Sequence, residues 1–73
     1  MTYRRRDPNI TTVTLRGETP RGVDKSLTYP LRRTAEDGRL FLYTRTGLAV
    51  FDPATGVLRG KRRILVHAHV ESV

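Results

Sequence analysis

Glycine and proline stand at positions 8, 17, 20, 22, 30, 38, 47, 53, 56 and 60, and they cut most of the chain into pieces too short for a stable helix. Between these breaks the apolar residues recur at every second position. Thr11-Thr12-Val13-Thr14-Leu15-Arg16 is β-branched and alternating, with Val13 and Leu15 on one face. Ser26 to Leu31 alternates as well and sets Leu27, Tyr29 and Leu31 together. Pro30 lacks a ladder donor, so that strand is expected to lie at an edge or to break there. Arg39 to Thr44 and Leu48 to Asp52 are short apolar runs of the kind that is buried on both faces. The final run, Arg63 to Val70, puts Ile64, Val66, Ala68 and Val70 on one face and Leu65, His67 and His69 on the other. Lys61 to Val73 is also the longest stretch free of Gly and Pro, so a helix is its main rival; the β-branched content favours a strand.

The connectors read as hairpin turns. Asp37-Gly38 closes a loop with residues that tolerate positive φ, and Thr44-Arg45-Thr46-Gly47 is short enough only for a tight hairpin. In Asp52-Pro53-Ala54-Thr55-Gly56 the Asp accepts from the backbone ahead, Pro sets φ, and Gly ends in a left-handed conformation. Val57-Leu58 follows as a short further strand, and Gly17 to Asp24 is a genuine loop. The expected fold is all-β: an antiparallel meander closing into a small barrel or curled sheet of about five strands. At most one helical turn is expected, near Thr34 to Asp37. The domain spans residues 10–73, and residues 1–9 form a mobile basic arm. Val13, Leu15, Leu27, Tyr29, Leu40, Leu42, Val50, Ile64 and Val66 are the expected core. An open strand edge would offer a partner backbone pairing.

With 73 residues there is room for one domain and for no large enclosed substrate cavity. Cysteine is absent, which excludes disulfide scaffolds and thiolate metal sites and suits a reducing cytoplasm. Asp7-Pro8-Asn9 follows the first arginines where a signal peptide would carry an apolar run. No apolar stretch exceeds four residues, so no membrane partner is expected.

Charge is the strongest compositional signal. Fourteen Lys and Arg against seven Asp and Glu leave +7, and all the cations but Lys25 and Lys61 are Arg. Arg matches phosphate and carboxylate in bidentate fashion and stacks on bases, which suits a polyanionic or acidic partner. A GC-rich coding sequence would raise Arg over Lys without any function. The cations cluster at Arg4-Arg5-Arg6, at Arg32-Arg33 and at Arg59-Gly60-Lys61-Arg62-Arg63. The last two clusters flank strands and would form one edge patch if the fold brings them together. With Tyr3 they make up the expected partner-binding set: Tyr3, Arg4, Arg5, Arg6, Arg32, Arg33, Arg59, Lys61, Arg62 and Arg63. An oligonucleotide-binding barrel would also show exposed aromatics on its middle strands. Tyr3 and Tyr43 are the candidates, whereas Phe41 and Phe51 read as core.

Catalytic and cofactor chemistry find little support. Ser26 and Ser72 stand in no nucleophile elbow, Glu36-Asp37 reads as a turn former, and no phosphate-cradling glycine motif occurs. His67 and His69 have the spacing of two metal ligands but lack a third donor, so they read as surface histidines and no metal is expected. The chain is thus expected to bind without catalysing, with no cofactor and no small-molecule substrate.

In length and character, across the whole chain, the sequence resembles the small regulators of lytic phages that bind bacterial RNA polymerase. That resemblance implies a host RNA polymerase partner, inhibition of promoter initiation by weakening the hold on σ, and read-through of terminators. It assigns no individual residue. The alternatives are a direct nucleic-acid-binding protein and a minor virion or assembly protein.

Overall fold

The computed structural model describes residues 11–73, so the expected arm, with Tyr3, Arg4, Arg5 and Arg6, lies outside the described residues. Six strands follow one another: β1 (Thr12–Glu18), β2 (Asp24–Thr34), β3 (Leu40–Thr44), β4 (Gly47–Asp52), β5 (Val57–Arg59) and β6 (Arg63–Ser72). Each pairs antiparallel with the next, and β6 returns to pair with β1, so the meander closes into a barrel. No helix occurs among the described residues, and therefore none long and apolar enough to cross a membrane. Where one helical turn was expected, Thr34 ends β2 and the residues after it form a turn, closed by Gly38 N donating to Ala35 O at 3.0 Å and by Arg39 Nε against Asp37 Oδ2 at 2.8 Å. Closure gives every strand two neighbours, but β2 from Asp24 to Pro30 and β6 from Val66 to Ser72 ladder with β1 alone, so unpaired backbone remains along parts of these two strands rather than along one whole edge strand.

Pro30 does not break its strand, but it stands where β2 is unpaired on its β3 side. β2 pairs with β1 up to Pro30 and with β3 from Leu31 onward. Leu31 N donates to Thr11 O at 2.8 Å on the β1 side. By alternation the donor missing at Pro30 would point toward β3, where the ladder has not yet begun.

The interior holds Val13, Leu15, Leu42, Ala49, Phe51, Leu58, Leu65 and Ala68, with Leu27, Tyr29, Leu31, Leu40 and Ile64 packed around them. Val13, Leu15 and Leu42 are where the alternation puts them, but two strands depart from expectation. On β4 the inward residues are Ala49 and Phe51, so Val50 faces out, because Phe51 pairs with the inward Leu58. On β6 the register shifts three times, once against β5 and twice against β1, the last between Val70 and Ser72. Leu58 pairs with Leu65 while Arg59 pairs with Arg63, so one extra residue enters β6 there; Leu65 is fully buried, Ile64 packs beside it and Val66 is only half-buried. A second bulge falls at His67, whose φ of 52° is left-handed, and it turns Ala68 inward. The common face expected for His67 and His69 is lost at this bulge.

Small residues let the walls meet there. Gly17 on β1 is buried against Ala68 and Val66, and Gly56, at φ 73°, lies within contact distance of Ala68 and His67. The Gly56 carbonyl accepts from Ala68 N at 2.7 Å and ties the β4–β5 turn to the bulge. That turn forms as its sequence implies: Asp52 Oδ1 accepts from Ala54 N at 3.0 Å and Asp52 O accepts from Gly56 N at 2.8 Å.

Candidate nucleic-acid interface

Side chains directly opposite one another on paired strands point to the same face of a sheet. Following the ladders outward from the buried Leu42 gives a continuous outer row: Arg33 opposite Phe41, Phe41 opposite Val50, Val50 opposite Arg59, and Arg59 opposite Arg63. The row crosses five strands, so it spans about 19 Å of the outer wall at ~4.8 Å per strand. Bulges set both of its ends. On β2 one residue more than on β3 lies between Leu31 and Thr34, so Arg32 and Arg33 together stand against Phe41. The Arg33 guanidinium lies over the Phe41 ring, 4.4 Å from its centroid. On β6 the extra residue allows Arg63 to face out while Leu65 faces in.

One step along the same face, Tyr43 pairs with Leu48. Their relative exposures, 49% and 50%, are high for large apolar side chains. Phe41, Val50, Tyr43 and Leu48 therefore make a two-by-two apolar block on β3 and β4, with Arg33 on its β2 side and Arg59 on its β5 side. Lys61 and Arg62 occupy the β5–β6 turn. It is folded back: Gly60 N donates to Arg62 O at 3.0 Å, and a side chain at Gly60 would already touch Ala49, Ile64 and the Leu48 carbonyl.

The electrostatics of the two sides of the barrel differ. On the outer face of β1, β2 and β6, Arg16 meets Asp24 at 2.7 Å and Glu71 at 3.6 Å, and Ser26 Oγ donates to Glu71 Oε1 at 3.1 Å. The hydrogen bond from Arg16, and then its charge, hold the Asp24 carboxyl below its ordinary value. On the arginine row no such pairing occurs: Arg32, Arg33, Arg59, Lys61, Arg62 and Arg63 make no ion pair with any described carboxylate. Asp52, two residues from Val50 on β4, is the nearest acid by register, and its carboxylate accepts from the turn backbone.

Of the ten residues expected from the sequence, the fold thus gathers Arg32, Arg33, Arg59 and Arg63 on one wall, with Lys61 and Arg62 in the turn that joins β5 to β6. They form a face rather than an edge. Phe41 and Val50, half-buried, and the exposed Leu48 are not among those ten, because their outward direction follows only from the register; Phe51, also expected in the core, is buried. The one available signal was the spacing of Phe41 and Tyr43 about the inward Leu42. Among the described residues no group of His, Asp and Glu could hold a metal ion, and no polar side chain is buried. No family model, curated protein or solved structure matches this chain.

Proposed function

We propose that this chain is a small nucleic-acid-binding module that acts in the cytoplasm without chemistry of its own. The observation that carries this reading is the outer row of Arg33, Arg59 and Arg63, free of described carboxylates and interrupted by Phe41 and Val50. Arginines spaced across strands supply phosphate contacts, and an aromatic between them offers a π-face. Six unpaired cations on this wall correspond to a slope of log affinity against log salt near −4 for a single strand, at about −0.7 per contact. Titration of a labelled oligonucleotide should therefore weaken about 300-fold between roughly 50 and 200 mM salt. Absence of binding at the lower salt would refute the reading.

A second reading is favoured by Tyr43 and Leu48, because an exposed apolar pair rimmed by arginine is also how protein interfaces are built. In that reading the row meets an acidic protein surface, and the resemblance to phage regulators makes bacterial RNA polymerase the partner, with control of initiation and termination as the outcome. A saturable complex with purified polymerase that survives nuclease treatment and responds weakly to salt distinguishes it from the first.

A further inference from the structure

We infer that the β3–β4 face is a stacking platform for unpaired bases, so that the module prefers single-stranded nucleic acid to duplex. This rests on the nucleic-acid reading above and specifies its ligand. Phe41 and Tyr43 stand two residues apart on the outer face of β3, about 6.7 Å along the strand at ~3.3–3.4 Å per residue. That distance is about twice the rise between stacked bases, ~3.4 Å. Bases laid on the two rings must leave their own stack, which an extended single strand does readily. In a duplex both faces of each base are covered by its neighbours, so a duplex would offer only phosphates and would desolvate the apolar block without return.

The remaining geometry argues the same way. Among the described residues there is no helix to enter a major groove. A two-stranded ribbon also fits that groove, and the Arg-rich β5–β6 hairpin is the natural candidate. However, β5 has only three residues and the turn at Gly60 lies against β4, so the hairpin does not project. Arg33 is already stacked on Phe41, so its guanidinium either extends the platform as a flat cationic surface or moves aside to a phosphate when a base takes the ring. Arg59 and Arg63 follow across the sheet from Val50, placing phosphate donors on the opposite flank from Arg33. Charge complementarity and the aromatic spacing together select a polyanion with free bases.

The test compares one mixed sequence as labelled single strand, in DNA and RNA forms, and as duplex, by fluorescence anisotropy on the full chain. The single strand is expected to bind at least about tenfold tighter. Phe41→Leu and Tyr43→Leu keep apolar bulk on the wall; each should weaken single-strand binding about five- to a hundredfold with the salt slope unchanged. Arg59→Ala and Arg63→Ala should instead lower the slope by about 0.7 each. Tyrosine emission gives a readout independent of the leucine variants' stability. The chain has three tyrosines and no tryptophan, so stacking on Tyr43 should quench the signal with single strand and much less with duplex. Equal or tighter duplex binding, or binding without quenching, overturns the inference and leaves the nucleic-acid reading standing. Failure of both forms to bind overturns both.

Discussion

Gly17→Ala tests the closure on which the whole surface argument depends. A Cβ at Gly17 would stand 2.7 Å from Ala68 Cβ, 2.8 Å from Ala68 Cα and 2.8 Å from the Val66 carbonyl oxygen. These are backbone atoms or the atom next to backbone, so no side chain can swing aside. Gly17 is not among the glycines at positive φ, so alanine suits its conformation and would by itself stabilise by about 0.4–1 kcal/mol through the unfolded chain. Overpacking of this kind costs about 1–3 kcal/mol, and three simultaneous contacts place it at the upper end. The net loss is then about 2 kcal/mol, out of a total near 4–11 kcal/mol for a chain of this length. In a domain of this size that lowers Tm by about 8–16 °C.

The assay is thermal unfolding followed by far-ultraviolet circular dichroism, with two companions. Gly22→Ala meets nothing within 4 Å but has φ 89°, so it reports backbone strain alone, about 1–2 kcal/mol. The double variant Gly17→Ala with Ala68→Gly removes one of the three contacts and should restore only part of the loss. If Gly17→Ala melts within about 2 °C of the parent, β1 does not lie on the β6 bulge. The barrel would then be open, and two whole strand edges would be free for backbone pairing with a partner.

Asp24→Asn probes the self-neutralised wall. Because Arg16 holds the folded-state Asp24 carboxyl below its ordinary value of 3.8, its stabilisation is present above that value and is lost as pH falls through the folded-state value. The urea midpoints of parent and variant should therefore differ at neutral pH and converge in acid; a pH-independent gap contradicts the Arg16 pairing. His67→Gly should raise stability by about 0.5–1 kcal/mol, since glycine adopts the left-handed φ of 52° without the penalty of a side chain and gives back only part of that in chain entropy. A lower midpoint for this variant would mean that the histidine side chain makes a stabilising contact of its own.

Much of the barrel was legible because local rules and global packing agree. The glycines and prolines mark the turns, and Val13, Leu15 and Leu42 point inward as period-two alternation requires. The errors sit where alternation is interrupted or gives no direction. The run Leu48 to Phe51 is apolar throughout, so the sequence does not say which pair faces in; pairing with Leu58 selects Ala49 and Phe51. On β6 three extra residues shift the phase, and no glycine marks any of the places. At one of them a histidine takes the left-handed position that glycine usually fills. The arginine clusters were visible as charge, but their union depends on the β2 bulge and on the short β5, which no local pattern encodes. Phe41 was misassigned for the same reason: its neighbour Leu42 fills the core, and only the register shows that the ring stands outside under Arg33.

Closure of the sheet and the placement of charge are linked by a physical constraint. A six-stranded barrel this small fills its interior with side chains, here eight buried apolar residues and the partly buried ring around them, so nothing can bind inside. It has no whole strand at an edge, and the unpaired backbone is confined to the parts of β2 and β6 that ladder with β1 alone. The outer wall is the larger surface offered for recognition, and that wall is not uniform. On one side Arg16 is paired with both Asp24 and Glu71, while on the other Arg32, Arg33, Arg59, Lys61, Arg62 and Arg63 make no ion pair with a described carboxylate. The resulting field is polarised across the barrel as well as positive overall, and it turns the molecule as it approaches a polyanion so that the arginine row arrives first. Long-range attraction then brings the Phe41–Tyr43 block into contact already oriented, and the apolar centre, which contributes nothing at a distance, decides what is retained.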